Sequence, residues 1–354
     1  MVVDVGHSYR GLCELLNGYY FTYSEKDPIR FNPFFLGDEI LDTEKSIKTL
    51  LLALWKKDDE SFTRSEYVSL SNALQAYFDY LKQHDGIFPC FNTFYEFLKD
   101  IFLASLRKEG IKEKDFDIDN FLYVLRPYYA SGEYGYLLNA KENLNLLEQR
   151  FIVFELDNIK DHPILFPTVT IIIMETFISK MRKLKGTRKI ILIEEAWKAI
   201  MRQGMAEYIK YLFKTVRKHY GEAIVVTQEV EDIISSPIIK DTIINNSDCK
   251  IILDQTKYVN KFDRVQELLG LTDREKALVL SINKANDPTK KYKEVFISLA
   301  GIVSKVYRTE VSLEEYLCYT TEEKEKIKVQ AYAAKYGSTW RGIQMLANHL
   351  RQAG

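Results

Sequence analysis

The sequence predicts an α/β fold: a mostly parallel sheet, with a large all-helical insertion and a run of C-terminal helices. Three observations predict it. In KIILIEEAW, Lys189 to Trp197, four consecutive aliphatic residues run into two adjacent carboxylates. A short apolar run of this kind is the signature of a strand buried on both faces in a parallel sheet. A helical stretch from Ala196 to His219 and the breaker Gly221 then lead to a second such run, AIVVTQE, which completes a β-α-β unit. Between Asp42 and about Asn145 the apolar period changes to steps of three and four, which belong to helices.

Taken in order, Val2 to Gly6 reads as the last part of a buried strand with an acid at its end. Only Met1 precedes it, so the natural chain is expected to extend upstream. Tyr19 to Tyr23 is a second strand, and Ile29 to Phe35 is an extended turn, because Pro33 pushes Asn32 out of the helical region. Helical faces follow at Ile47, Leu50, Leu51, Leu54 and Trp55, then at Leu70, Leu74, Tyr77, Phe78 and Leu81. Two more helices are expected over Asn92 to Lys108 and Asp117 to Arg126, before a turn-rich piece from Ser131 to Gly135. Thr43 with Ser46, and Asn92 with Glu96, sit near helix starts as weak capping signals. Strand character returns in FIVFEL, Phe151 to Leu156, and a helix from Pro163 to Lys185 leads to Gly186 and the KIILIE strand. Strands at Lys250 to Leu253 and Glu294 to Leu299 bracket helices near Lys257 to Leu269 and Asp273 to Leu280, and the sheet is expected to end there. Beyond Thr309 the pattern is helical. The chain thus divides into 1–37 as the start of the core, 38–150 as the helical insertion, 151–310 as the remaining core and 311–354 as C-terminal helices.

Composition narrows the function classes. Lys and Arg number 49 against 50 Asp and Glu, a net charge of −1, so nothing pulls the whole chain toward nucleic acid. Cys13, Cys90, Cys249 and Cys318 are far apart with no C-x-x-C, which suggests neither a disulfide framework nor a structural zinc and suits a reducing compartment. The five histidines are equally scattered. The most apolar stretch, Ile164 to Ile178, is too short to span a bilayer, so membrane association is expected only through partners.

Chemistry concentrates at the strand ends. Open α/β sheets bind ligands at the carboxyl ends of their strands. There Glu194 could hold Mg²⁺ through water and Glu195 could polarise an attacking water, the division of labour of a Walker B element. The same pair could simply cap the following helix. Gln228, ending the next strand, suits a γ-phosphate sensor that orients water, and equally a turn after a strand. A nucleoside triphosphatase also needs G-x-x-x-x-G-K-[ST]. No Gly-Lys dipeptide occurs in this sequence.

The ordered set VVDVGHSYRGLCELLNGYYFTY, RFNPF, FIVFEL, ILIEEAW, TVRKHYG, VVTQE and the Ile243 to Asp254 run resembles the conjugation ATPases of the TraG/VirB type, nearest the conjugative-transposon TraG branch. That resemblance spans nearly the whole chain. It implies a RecA-like P-loop NTPase core, with the phosphate loop lying just before the strand that contains Asp4, and a fragment inactive without it. It further implies ATP and Mg²⁺ as cofactors, other type IV secretion proteins as partners, a hexameric ring when full length, and a place at the cytoplasmic face of the inner membrane. Carried over by motif, Glu194 is the Mg²⁺ residue, where many members have Asp. Glu195 is the base or water orienter, Gln228 the sensor, and Arg217 with Lys218 an arginine-finger motif toward a neighbouring subunit. Asp4 and Arg308 are expected near nucleotide or a subunit interface, and Glu155 at the catalytic end of a strand beside the KIILIE strand. A docking module without catalysis and a ring-shaped DNA translocase are the alternatives.

Overall fold

The computed structural model describes residues 1–354 apart from 25, 27, 35–39, 57–61, 142–145, 147, 195–202, 228–236, 285–291 and 354. Five strands, β1 (Val2–Asp4), β2 (Tyr19–Thr22), β3 (Ile152–Glu155), β4 (Lys189–Glu194) and β5 (Gly221–Val226), form one parallel sheet in the order β2-β3-β1-β4-β5. Parallel neighbours cannot be joined by a hairpin and need a crossover. Helix α1 (Arg10–Leu15) joins β1 to β2, and the helical insertion joins β2 to β3. The sequence reading placed the strand of Glu155 beside the strand of Glu194. In the structure β1 lies between them, because Val3 pairs with both Phe154 and Ile193.

The insertion contains α2 (Ile40–Trp55), α3 (Arg64–Gln83), α4 (Phe91–Phe97), a π-helical turn (Leu98–Phe102), α5 (Leu103–Glu109) and α6 (Ile118–Leu125). Helix α3 starts at a capping box of Thr63 and Glu66, and Cys90 precedes α4. Thr43 therefore lies inside α2 rather than at its start, and Asn92 lies inside α4, where its Oδ1 accepts from the Ala130 N–H at 2.8 Å. Helix α7 (Leu165–Lys183), which follows β3, is buried on nearly every side. Burial between layers explains why its sequence is apolar all round. No described helix is long and apolar enough to cross a membrane. One continuous core joins the sheet residues Ile191 and Ile193, the length of α7, and the insertion's aromatic cluster. In that cluster Phe94 is fully buried, with ring centroids 5.3 Å from Phe34 and 5.2 Å from Tyr77.

After β4 come α8 (Gln203–Thr215), β5 and α9 (Pro237–Asn246). The next strands do not extend the parallel sheet. β6 (Cys249–Ile252), β7 (Lys293–Leu299) and β8 (Val303–Thr309) make a separate antiparallel sheet, backed by α10 (Phe262–Leu269) and α11 (Asp273–Val279). The sequence reading ended with β7. β8 returns through a turn in which Ala300 (φ 50°) and Gly301 (φ 68°) take the left-handed backbone that tight hairpins require. Finally α12 (Leu313–Tyr319), α13 (Glu323–Tyr336) and α14 (Thr339–Ala353) form a small cluster of Leu317, Ile343 and Leu346, joined by Leu15 of α1.

Two expected outcomes follow. Phe94→Ala leaves a cavity where two rings now meet and lowers stability by about 3–5 kcal/mol in chemical denaturation. Glu275 caps α11 and accepts from Ser298 Oγ (3.1 Å) and Ser304 Oγ (2.5 Å). Burial alone would raise its pKa, yet these bonds and those from Thr272 hold it down to about 2. Its contribution is thus present above the ordinary 4.5 and is lost as pH falls from there through about 2. Glu275→Gln should flatten the acid limb of the melting temperature against pH.

Candidate functional site at the carboxyl edge of the parallel sheet

Strand register builds this site. Asp4 pairs with Glu155, and Val3 with Ile193, so Glu155, Asp4 and Glu194 end three adjacent strands at one level. Side chains at one level of a parallel sheet share a face, so the three acids form a row. Asp4 and Glu155 are fully buried and Glu194 is half-buried.

Buried carboxylates need donors, and here the backbone supplies them. Between β1 and α1 the chain turns through Gly6 (φ 141°) and His7 (φ 57°). Asp4 Oδ2 accepts from the N–H groups of Ser8 (2.8 Å) and Tyr9 (3.3 Å). Glu155 accepts from the N–H groups of His7 (2.6 Å), Asp157 (2.8 Å) and Gly6 (3.4 Å). The two acids thereby fix every residue of the turn from Gly6 to Tyr9. Its side chains reach back across the row. Tyr9 donates its hydroxyl to Glu194 Oε1 at 3.1 Å, and His7 Nδ1 lies 3.1 Å from the Tyr20 hydroxyl and 3.5 Å from Glu155 Oε2. Burial, and then the charge of Glu194, push the Tyr9 pKa up. Burial, and then Glu155, do the same to Tyr20. Both phenols stay protonated at neutral pH, and that of Tyr9 donates to Glu194. From the C-terminal helices, Lys326 Nζ donates to the His7 carbonyl at 3.4 Å.

The other sequence-predicted residues divide among different places. Glu195 and Gln228 lie outside the described residues, although β4 and β5, which lead to them, are paired in register through Glu194 and Val226. Arg217 and Lys218 lie in a 3₁₀ turn (Val216–His219) just before β5, at the amino edge of the sheet and away from the acid row. Both are exposed, and Arg217 pairs with Asp248 at 2.9 Å. Arg308 lies within β8 and not after the last strand. It sits 3.5 Å from Glu294 and packs over the ring of Tyr292, in the second sheet. The sequence reading missed His7, Tyr9 and Tyr20. Their partners lie up to 185 residues away, so no local spacing announces them.

Similarity to known proteins agrees with this architecture. The family described as the TraG P-loop domain matches residues 1–350. Protein TraC of Escherichia coli (strain K12) is 25% identical over 265 residues, 72% of this chain and 29% of TraC. The type IV secretion system protein virB4 of Bartonella quintana (strain Toulouse) is 27% identical over 182 residues, 51% of this chain and 21% of virB4. The chain thus spans less than a third of the length of these curated relatives. Among solved structures, VirB4 of Thermoanaerobacter pseudethanolicus superposes with a TM-score of 0.59 at 15% identity, covering 92% of this chain and 82% of that one. The plasmid coupling protein TrwB in complex with ADP and Mg²⁺ gives 0.50 at 10% identity, covering 87% and 84%. At such identities the likeness establishes the fold alone, a RecA-like α/β core. Because the family match runs from the first residue to within a few of the last, the chain belongs to the TraG P-loop domain family.

Proposed function

We propose that this chain supplies the acid-bearing edge of an ATP-driven motor that powers conjugative transfer or type IV secretion, in the conjugative-transposon TraG branch. The observation that carries the reading is the row Glu155, Asp4 and Glu194 at the carboxyl edge of the sheet, with Glu194 ending the strand that runs into Glu195. TraC and virB4 point to the process, and the TrwB complex points to a nucleotide with Mg²⁺.

The side chains fit the metal end of such a complex. Glu194 is half-buried, offers the hard oxygen that Mg²⁺ prefers, and is held by Tyr9. It would hold Mg²⁺ through water, and the bound ion would neutralise charge on the phosphates. Glu195 would then orient the attacking water and Gln228 would sense the γ-phosphate. Asp4 fixes the turn that delivers Tyr9. The phosphate-binding lysine of the G-K-[ST] signature has no counterpart in this sequence. Arg217 and Lys218, at the opposite edge, suit a neighbouring subunit of a ring, in which Arg308 would line an interface. Such a ring would work with other secretion proteins at the cytoplasmic face of the inner membrane. The net charge of −1 gives DNA translocation no support.

The test is Mg²⁺-dependent ATP hydrolysis by this chain beside a version extended upstream by several dozen residues. Turnover is expected in the extended protein alone. In that protein Glu195→Gln should cut turnover by about 100-fold or more while ATP binding persists. Rapid hydrolysis by the variant overturns the assignment, and silence in both proteins favours a docking role. Tyr9→Phe removes the bond to Glu194 and should raise the Mg²⁺ concentration for half-maximal turnover by about tenfold.

A further inference from the structure

The buried pair Asp4 and Glu155 contains an inconsistency if both are ionised. Both side chains are fully buried at paired positions of adjacent strands, on one face of the sheet. Three of their four oxygens receive backbone N–H groups. The fourth, Asp4 Oδ1, is buried with no partner. Two like charges at this separation in a low-dielectric interior repel strongly. A buried acceptor left unpaired beside a second acid needs a donor, which a proton on that acid supplies.

We propose that Asp4 and Glu155 together bind one proton at neutral pH, with the carboxyl of Glu155 donating to Oδ1 of Asp4. A single proton satisfies the orphaned oxygen and removes one of the two charges. A metal ion suits the place less, since only one oxygen is unoccupied and the described residues contain no cluster of three metal-ligating side chains. Burial first, and the Asp4 charge next, raise the Glu155 pKa, against the opposing backbone donors of Asp157 and His7. The surrounding groups are consistent with this. Tyr9 and Tyr20 are neutral, Glu194 adds negative charge, and Arg10, Lys160 and Lys326 approach only from the periphery. His7, whose ring is partly exposed and 3.5 Å from Glu155, offers the route by which the proton exchanges with solvent. The proposal does not depend on nucleotide hydrolysis.

A folded value raised above the ordinary one means that the proton stabilises the fold on the acid side, and that this contribution is lost as pH rises through the raised value. Infrared spectroscopy of the whole chain at neutral pH should show the carbonyl stretch of a buried protonated carboxyl, absent from Glu155→Gln. The amide of that variant still donates to Asp4. Its melting temperature should therefore stay near the wild type on the acid side of the raised value and exceed it on the alkaline side, where the wild type carries both charges. The wild-type spectrum decides the matter even where the variant does not fold: no protonated carboxyl band at neutral pH overturns the proposal. So does a wild-type melting temperature that Mg²⁺ or Ca²⁺ raises and Glu155→Gln makes insensitive, because a metal ion would then occupy the pair.

Discussion

Everything at the carboxyl edge of the parallel sheet depends on two acidic side chains, Asp4 and Glu155, that hold a turn by its backbone. The chain leaves β1 with Gly6 and His7 in conformations that no regular element would satisfy, so their N–H groups and those of Ser8 and Tyr9 need acceptors. A buried N–H left unpaired costs about 1–3 kcal/mol. Asp4 and Glu155 between them satisfy four consecutive N–H groups in the turn. Desolvating the acids opposes folding, and the backbone donors they collect offset much of it. Neither side of this exchange is stable alone: without the acids the turn has no shape, and without the turn the acids have no place in the interior.

The same exchange transmits order to Glu194. The Tyr9 backbone is fixed by Asp4 and its hydroxyl reaches Glu194, so a residue on β1 sets the surroundings of a residue on β4. Register makes the link short. Were β1 shifted by one residue against β4, Asp4 would point to the other face of the sheet and the row would dissolve. Packing guards that register on both faces. Val3 lies in the main core, while Val2, Cys13 and Val153 cluster under α1, on which the C-terminal helices rest.

How much of this was legible follows from the range of the interactions. β4 and β5 could be read because four aliphatics followed by acid, and AIVV after Gly221, are local patterns, but burial on both faces was not borne out: Ile190, Ile224 and Val226 are exposed on one face of the two strands. The helical insertion was legible for the same reason, at Ile47 to Trp55 and Leu70 to Leu81. Strand order was not. FIVFEL pairs with β1 and β2, and nothing within it distinguishes those partners from β4. β8 was lost because VSKVYRT mixes apolar and charged residues on a strand with little buried surface, and the turn signal Ala300-Gly301 is brief. Asp4 and Glu194 could be proposed from their places at strand ends. The roles of Tyr9 and His7 could not, since each is defined by a partner brought close only by the sheet.

Distance constrains what Arg217 can do. It precedes β5, whereas Glu194 ends β4 level with Val226, the last residue of β5. Six residues of strand separate the two levels, and at about 3.3 Å per residue that is roughly 20 Å. An arginine side chain does not span that length, and the body of the sheet stands between. Within one copy Arg217 therefore serves the exposed ion pair with Asp248, worth at most about 1 kcal/mol. A role for its guanidinium on phosphate requires the amino edge of one sheet to face the carboxyl edge of another. Among closed assemblies, that head-to-tail relation generates rings. The opposite placement of the acids and Arg217 thus ties the arginine-finger reading to assembly: an isolated copy could use one set or the other, and only a head-to-tail assembly, a ring where it closes, could use both at one site.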